Sequence, residues 1–287
     1  MRKPKAVFKL LRVEQWYKNA LVAVPAIFAL KLTDVSVYPL LALGFLALSL
    51  ASSSIYVFND LRDVEEDRLH PTKRLRPLPS GLVTKREAAF ISSSLAALSI
   101  AISAALGKLF TLLILLFMLI SVLYSLRLKR VAVVDVTAIA LNYLIRVSSG
   151  AALIGVEASP WLVSGFFFLA LFLALSKRKA ELIVAGASAR SVLKTYSEKW
   201  LDQAMGMTAA MTIVTYAIYC AEVPLGRRLV PTVPIMAFFL LRYTLAVEMG
   251  LGEHPHEIIL RDVPTLLGAL ALVTSVLLLA YLPTVAL

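Results

Sequence analysis

The sequence predicts an all-helical membrane protein with about nine transmembrane helices, and three observations lead to that fold class. Of its 287 residues, 60% are hydrophobic and 16% are charged, whereas soluble domains are about half apolar and a quarter charged. Apolar stretches of about twenty residues recur from end to end, which is the length that crosses a bilayer as an α-helix. The alternating pattern of about ten residues that is typical of transmembrane barrel strands is missing from the sequence.

The predicted spans form one integral-membrane domain over residues 1–287. A basic stretch before the first span resembles a signal peptide, but no clean small-x-small cleavage site follows it, so we expect the first helix to be retained. The spans lie near residues 13–31, 36–58, 87–107, 109–126, 131–154, 159–176, 202–222, 230–248 and 263–283.

The basic residues predict the orientation, because cytoplasmic loops carry an excess of lysine and arginine. Of the 29 such residues, 23 lie in the amino-terminal segment or in alternate loops, and only four lie in the opposite loops. We therefore expect a multi-pass protein of the cell membrane with its amino terminus in the cytoplasm and its carboxyl terminus outside. The predicted cytoplasmic loops lie near residues 59–86, 127–130, 177–199 and 249–262.

Composition also excludes several classes of function. A single cysteine excludes a disulfide framework and a cysteine-based zinc site. The net charge of +11 would suit nucleic acid only if the basic residues shared a folded surface, but they lie between apolar runs. The sequence therefore excludes a soluble nucleic-acid-binding protein.

A group of carboxylates follows the second span. Asp60, Asp63 and Asp67 fall within roughly 60° of one face if the helix continues to Pro71, and Asn59 lies at the edge of that stripe. Three like charges on one face repel one another. Magnesium favours oxygen ligands and shares its sites with substrate phosphates. The spacing therefore predicts a Mg²⁺ and diphosphate site at the membrane edge.

A basic segment between prolines comes next. Lys73, Arg74 and Arg76 stand in a stiff loop, and guanidinium forks and ammonium groups bind phosphate oxygens. Carboxylates for a metal beside cations for phosphate suit a diphosphate leaving group. The alternative is a solvated helix end that is balanced by Arg62 and Arg68.

Charged residues also occur inside the spans. Asp135, Asn142 and Arg146 share one broad face of the fifth span, and polar groups at membrane depth usually face a cavity or one another. We expect this stripe to line a substrate cleft, with Arg146 available to a phosphate. Arg242 in the eighth span is a further candidate, and a structural ion pair with a carboxylate is the competing explanation.

The motif Asn-Asp-x-x-Asp-x-x-x-Asp at residues 59–67 resembles the UbiA superfamily of intramembrane prenyltransferases. The longer string NDLRDVEEDRLHPTKRLRPLPSG is most similar to the branch of decaprenyl-phosphate phosphoribosyltransferases, the 5-phosphoribosyl-1-diphosphate:polyprenyl-phosphate transferases. The resemblance covers essentially the whole chain. It includes QWYKN at 15–19, YSLRLK at 124–129, KRKAEL at 177–182, RY at 242–243 and the segment 255–262.

The resemblance implies a UbiA-like bundle with a cytoplasm-facing cleft. It also implies Mg²⁺-dependent transfer of 5-phosphoribose from phosphoribosyl diphosphate to a polyprenyl phosphate in the bilayer. With the residue chemistry above, it assigns the metal to Asp60, Asp63 and Asp67, and catalytic roles to Asp63, Asp67, Lys73 and Arg74. Substrate-binding roles are assigned to Asn59, Arg76, Tyr124, Lys129, Asn142, Arg146, Lys177, Arg178, Glu181 and Arg242.

One departure from the superfamily pattern bears on the substrate. Aromatic prenyltransferases of the superfamily carry a second aspartate-rich motif after the sixth helix, where this chain has Lys177-Arg178-Lys179-Ala180-Glu181. Fixed cations suit a donor with a 5-phosphate and an acceptor that is itself a phosphate. The alternative is that these cations only anchor the sixth helix on the cytoplasmic side.

Two other functions remain open from the sequence. One is prenyl transfer from a prenyl diphosphate to an aromatic or glyceryl phosphate acceptor. The other is transport of an anionic substrate, since nine spans with intramembrane charges also suit a transporter. The carboxylate face and the basic loop favour chemistry, because a transporter has no need to activate a diphosphate.

Overall fold

The computed structural model describes residues 3–69, 71–185, 191–252 and 254–282. Every regular element among these residues is helical, in agreement with the predicted fold class. The α-helices in chain order are α1 Lys3–Leu11, α2 Val24–Phe28, α3 Val37–Arg62, α4 Val64–Leu69, α5 Lys85–Leu106, α6 Lys108–Leu126, α7 Val134–Ile154, α8 Pro160–Ala185, α9 Glu198–Glu222, α10 Pro224–Leu229, α11 Val233–Glu248, α12 Pro255–Arg261 and α13 Val263–Tyr281.

Eight helical segments in the described part of the chain are long and apolar enough to cross a membrane. They correspond to the second to ninth predicted spans. One of them, Pro224–Glu248, is made of α10 and α11 with a 3-10 turn between them. By length and composition, these helices make the chain a multi-pass membrane protein.

The first predicted span, near residues 13–31, differs from the others. It folds as a 3-10 helix, Val13–Ala23, followed by the five-residue helix α2. A 3-10 helix rises about 2.0 Å per residue against about 1.5 Å in an α-helix, so the two together extend over roughly 30 Å. The segment is not among the eight described helices that are long and apolar enough to cross a membrane, so the first span stays a prediction.

The helix that carries the aspartates is interrupted, contrary to the prediction of one helix up to Pro71. Helix α3 ends at Arg62, and Asp63 separates it from α4. The amide of Asp63 still donates to the carbonyl of Asn59 at 3.0 Å, and Asp63 in turn accepts from the amide of Asp67 at 2.8 Å. The chain therefore bends at Asp63 while the helical hydrogen bonds continue on both sides of the bend.

Helix α8 is longer than predicted. It runs to Ala185, so Lys177, Arg178 and Glu181 lie on its last turns and not in a loop at 177–199. Residues 186–190 of that predicted loop lie outside the described residues. The predicted span ends before Lys177 because hydropathy falls at the first charged residue. In the structure the charged side chains have buried partners, so the helix continues through them.

The chain packs as two compact units within the single domain that the sequence predicts. Unit 1 comprises residues 1–26, 32–126 and 145–156, and unit 2 comprises residues 27–31, 127–144 and 157–287. Helix α7 contributes to both, because residues 134–144 belong to unit 2 and residues 145–154 to unit 1.

In unit 1, α3 is the central helix and packs against α1, the 3-10 helix, α5 and α6. Small buried residues on α3 allow close approach, as is usual between helices in membranes. Ser54 and Ser92 exchange hydrogen bonds with each other's carbonyls at 2.8 and 2.9 Å, and Ser99 donates to the carbonyl of Ala47 at 2.7 Å. These contacts fix α5 beside the helix that leads to the aspartates.

In unit 2, α8 packs along α9, and α11 packs along α13. The core contains the fully buried Phe172, Leu201, Met205 and Tyr243. The Tyr243 ring lies 5.6 Å from the Phe172 ring, which joins α11 to α8. The core also includes Ala180, which lies between Lys179 and Glu181 on α8.

Gly150 on α7 permits a close approach to the 3-10 helix in unit 1. A Cβ atom added there would overlap the carbonyl oxygen of Val22 and lie 2.8 Å from its carbonyl carbon. Neither atom belongs to a flexible side chain, so the backbone of one element would have to move.

We expect Gly150→Ala to destabilise the protein by about 3 kcal/mol or more, the upper range for an overpacked site, because the clash is with backbone. Gly206→Ala on α9 is the matched control, since a Cβ atom there meets open space. The apparent melting temperature of each variant in nanodiscs measures the effect. Equal melting temperatures for the two variants would contradict a tight contact at Gly150.

Candidate active site

Two of the predicted metal ligands, Asp60 and Asp67, are buried together at the end of α3 and in α4. Asp60 is 2% exposed and Asp67 is 4% exposed. The Nη1 atom of Arg76 lies 2.7 Å from Asp67 Oδ2 and 3.5 Å from Asp60 Oδ1, so one guanidinium bridges both carboxylates. Lys73 adds a longer contact to Asp67 at 3.9 Å. The like-charge repulsion that the sequence predicts a metal to relieve is therefore already relieved by cations of the chain.

The loop that carries Arg76 is held in place by apolar contacts. Leu78 is buried in a cluster that includes Val57 of α3 and Val64 of α4, and Pro77 and Pro79 are buried beside it. The amide of Val83 donates to the carbonyl of Pro77 at 3.1 Å. The proline segment thus anchors Arg76 over the two carboxylates, in agreement with the predicted stiff loop.

Arg12 is a cation of this site that the sequence reasoning missed. It lies between α1 and the 3-10 helix, and its Nη2 atom donates to Asp60 Oδ1 at 2.6 Å. Its guanidinium also lies over the ring of Tyr56, 5.1 Å from the centroid. From the sequence alone, Arg12 is interpreted only as one of the basic residues that predict orientation. Its partner Asp60 is 48 positions away, so no local spacing indicates the contact.

The remaining residues of the motif are more exposed. Asp63 at the bend and Asn59 are both half-buried, Lys73 lies in a short 3-10 turn, and Arg74 is exposed. Glu65 is exposed and bridges Arg68 at 3.0 Å and Lys85 at 2.7 Å. The hydrogen bond from Lys85 lowers the pKa of Glu65 below its ordinary value.

Asp60 and Asp67 fit Mg²⁺ as a pair of oxygen ligands. Among the described residues, no three histidine, cysteine, aspartate or glutamate side chains come together as a metal-ligand set, so the three-carboxylate site is not formed as predicted. Magnesium is commonly bound through one or two carboxylates together with waters and substrate phosphates. Two buried carboxylates that share one guanidinium meet that requirement, and the metal role of Asp63 stays a prediction.

A second charged cluster lies in unit 2, around Arg178. Its Nε atom donates to Asp135 Oδ2 and its Nη1 atom to Glu181 Oε2, both at 2.7 Å. The side chains of Arg178 and Asp135 are 1% and 0% exposed. Breaking such a buried pair costs several kcal/mol, about 3–5 in measured cases. The structure therefore gives Arg178 a carboxylate partner on each side, and its predicted phosphate contact stays a prediction.

Tyr196 completes this cluster. Its hydroxyl donates to Asp135 Oδ1 at 2.6 Å and accepts from the amide of Val133 at 2.7 Å. Burial raises the pKa of Tyr196, and the hydrogen bond to Asp135 acts in the same direction. Lys177 lies 3.9 Å from Glu181 with 28% of its side chain exposed, so it is the more accessible cation at the end of α8.

Arg146 lies inside the membrane-spanning part of α7 and is buried in unit 1. Its Nε atom donates to Asn19 Oδ1 at 2.8 Å, and its guanidinium lies 4.6 Å from the centroid of the Phe117 ring. Asn19 also donates to the hydroxyl of Ser49 at 3.1 Å. The QWYKN segment thus supplies a polar partner for the intramembrane arginine. The cleft that Asp135, Asn142 and Arg146 were expected to share stays a prediction.

Arg242 forms the structural ion pair that was the competing explanation. Its Nε and Nη2 atoms donate to the two carboxylate oxygens of Asp262 at 2.8 and 2.6 Å. Asp262 also caps α13 by accepting from the amide of Thr265. The hydrogen bond from Arg242 holds the pKa of Asp262 well below its ordinary value. Arg242 therefore has a structural partner, and its substrate-binding role stays a prediction.

Three further residues are located individually. Tyr124 on α6 and Asn142 on α7 are half-buried, and Lys129 lies half-buried in the 3-10 turn Leu128–Arg130. Tyr124 belongs to unit 1, and Lys129 and Asn142 belong to unit 2. Their substrate-binding roles stay predictions.

Lys179 is a buried cation that the prediction did not assign. Its amine bridges Asp202 of α9 and Glu248 of α11. The lysine is 1% exposed, so these two pairs join three helices of unit 2 at their charged ends.

Comparison with known proteins agrees with the fold and with the motif. The model of the UbiA prenyltransferase family matches residues 20–181. The decaprenyl-phosphate phosphoribosyltransferase of Mycobacterium tuberculosis is 32% identical over 279 residues, which cover 94% of this chain and 92% of that protein. The protein of the same name from Corynebacterium glutamicum is 31% identical over 294 residues, which cover 96% and 87%.

A solved structure has the same fold. The UbiA homologue from Archaeoglobus fulgidus bound to GPP and Mg²⁺ superposes with a TM-score of 0.74 at 21% identity, over 94% of this chain and 99% of that one. Fold and relatives together define a membrane-embedded transferase. The chain belongs to the UbiA prenyltransferase family, which confirms the resemblance drawn from its sequence.

Arg178→Gln tests the structural role of the unit 2 cluster. It leaves Asp135 and Glu181 without their shared cation, and we expect a loss of about 3–5 kcal/mol in stability. Lys177→Gln is the control, since that side chain is partly exposed and its contact with Glu181 is long. Thermal unfolding in nanodiscs compares the two, and an Arg178 variant as stable as the control would show that the pair is dispensable.

Proposed function

We propose that this protein transfers 5-phosphoribose from phosphoribosyl diphosphate to a polyprenyl phosphate and releases diphosphate. The observation that carries the proposal is the arrangement of two buried carboxylates beside Arg12, Lys73 and Arg76. Oxygen ligands for a divalent cation and donors for phosphate oxygens are what a diphosphate leaving group requires. The choice of donor and acceptor is supported by relatives about 30% identical over nearly the whole chain, named decaprenyl-phosphate phosphoribosyltransferases.

The reaction exchanges one bond at the ribose C1 atom for another. An oxygen of the lipid phosphate forms a bond to C1, and the bond from C1 to the diphosphate breaks with its electron pair leaving on the diphosphate. The attacking oxygen is already anionic, so no strong general base is required. Charge develops on the leaving diphosphate, and C1 gains oxocarbenium character.

Residues of the α3–α4 site have separate roles in this proposal. Asp60 and Asp67 would hold Mg²⁺, and Asp63 at the bend would be a further oxygen ligand. Bound magnesium neutralises charge on the leaving diphosphate. Arg76 and Lys73 donate to phosphate oxygens, and the exposed Arg74 adds charge at the entrance.

In the cluster around Arg178 in unit 2, the positive charge comes from an arginine side chain, and this supports a protein cation there in place of a second metal ion. Asp135 of α7 and Glu181 of α8 are both bound to Arg178. Arg178 thus neutralises them from within the protein. Lys177 is then the residue on this helix that we propose for a substrate phosphate.

Prenyl transfer to an aromatic or glyceryl phosphate acceptor is the second candidate. The Archaeoglobus fulgidus protein with this fold binds GPP and Mg²⁺, and the same two carboxylates suit a prenyl diphosphate. Arg178 stands where aromatic prenyltransferases carry a second aspartate motif, and this favours the phosphoribosyl reaction.

We also propose that the site opens to the cytoplasm, on the basis of the lysine and arginine distribution.

A transfer assay distinguishes the two reactions. Protein in nanodiscs receives polyprenyl phosphate and phosphoribosyl diphosphate labelled in its 5-phosphate, with magnesium or with chelator. We expect magnesium-dependent appearance of label in the lipid. Prenylation of an aromatic or glyceryl phosphate acceptor in the matched assay, without labelled lipid, would replace the proposal by the second candidate.

Asp67→Asn should reduce this turnover by about a hundredfold or more, because metal stabilisation of transition-state charge is worth several kcal/mol. Glu65→Gln on the same helix is the control and should keep its activity, since Glu65 faces solvent. Asp63→Asn, which we also expect to abolish turnover, tests the carboxylate at the bend separately. Retained activity would remove the substituted aspartate from the metal role.

A further inference from the structure

The Asp60 carboxylate has two competing uses. It is a ligand for the divalent cation in the proposed function, and it is also the ion-pair partner of Arg12 in the structure. Arg12 Nη2 lies 2.6 Å from Asp60 Oδ1, and Arg76 Nη1 lies 3.5 Å from the same oxygen. An oxygen that binds magnesium does so at about 2.0–2.1 Å. Two arginines and a divalent cation on one oxygen would repel one another strongly.

The two arginines are not equally held. Arg76 keeps its 2.7 Å contact to Asp67 when Asp60 is taken by a cation. Arg12 is ion-paired, among the described residues, with Asp60 alone, and a quarter of its side chain is exposed. Arg12 is therefore the group that must leave when Asp60 binds a metal.

The backbone at Arg12 is also unusual. Its φ of 51° and ψ of 48° are in the left-handed region, which residues other than glycine seldom adopt. Such conformations persist where surrounding contacts fix them, and they cluster at ligand clamps and switch regions. Here the backbone turns between α1 and the 3-10 helix, and the turn directs the guanidinium to Asp60.

We propose that Arg12 is a further substrate-binding residue that exchanges partners: it holds Asp60 until a divalent cation binds there and then donates to the diphosphate. A guanidinium fork binds carboxylate and phosphate oxygens in the same bidentate manner, so the exchange replaces one charge-assisted contact by another. Metal and diphosphate binding are then coupled through Arg12. The inference rests on the proposed function for the diphosphate, although not on the ribose or the lipid.

Two binding measurements test the exchange, each on the full chain in nanodiscs. The first is Mn²⁺ alone, detected by loss of the free-ion electron paramagnetic resonance signal. Arg12→Gln should bind Mn²⁺ about fivefold or more tightly than the wild type, the lower range of coupling between ligands. The second is radiolabelled inorganic diphosphate at a Mn²⁺ concentration that saturates both proteins, where the wild-type Arg12 is released from Asp60 and the same variant should bind diphosphate more weakly.

Arg68→Gln is the matched control, because it removes another arginine of the same region whose partner is the exposed Glu65. It should leave both affinities unchanged, which separates exchange at Asp60 from a general loss of positive charge. Arg12→Gly is the second variant. Glycine adopts the left-handed conformation freely, so this variant removes the side chain while favouring the native backbone.

Unchanged or weaker Mn²⁺ binding by both Arg12 variants would overturn the proposal, since Arg12 would then not compete for Asp60. Tighter Mn²⁺ binding with unaltered diphosphate binding would overturn the transfer of Arg12 to phosphate. Neither probe contains ribose or a prenyl chain. A failed phosphoribosyl assay beside the expected affinities would therefore refute only the substrate assignment.

Discussion

The bridge that Arg76 forms between Asp60 and Asp67 is the interaction on which the site depends. The two carboxylates lie on different helices, with the bend at Asp63 between them, and both are withdrawn from solvent. Burying two like charges side by side is unfavourable unless a cation with good hydrogen-bond geometry lies between them. The buried Leu78 and its flanking prolines hold that cation in place, so the apolar packing of the loop determines the electrostatics of the site.

The cations near the carboxylates differ in how deeply they are buried. The side chains of Arg12 and Arg76 keep a quarter to a third of their surface exposed, whereas that of Arg178 keeps 1%. A partly exposed guanidinium can change partners at low cost, because water replaces the contact it loses. A fully buried one leaves uncompensated carboxylates behind it. Arg178 and Lys179 therefore support the helices of unit 2, while Arg12 and Arg76 are suited to bind and release a ligand.

Hydropathy predicted the spanning helices well, because the bilayer imposes one length and one composition on them. The start of α6 is an example: Gly107 has a φ of 132° and separates two apolar runs whose boundary the sequence shows. Prediction failed where charge is buried by a partner. Lys177 and its neighbours look like the end of a span by hydropathy, but α8 continues through them since Asp135 and Glu181 neutralise Arg178. The 3-10 form of the first segment has no signature in the apolar pattern either.

The site was predicted in its residue types but not in its pairing. The aspartates and the basic loop are close in sequence, so their chemistry was readable from spacing. The Arg12–Asp60 contact joins residues 48 positions apart, and a basic residue near the amino terminus already had an explanation as a topology signal. The two explanations are compatible. A lysine or arginine kept on the cytoplasmic side by the positive-inside rule is also on the side where a soluble phosphorylated donor would arrive. In this family member the basic residue that was predicted to orient the first segment also meets the carboxylate of the site.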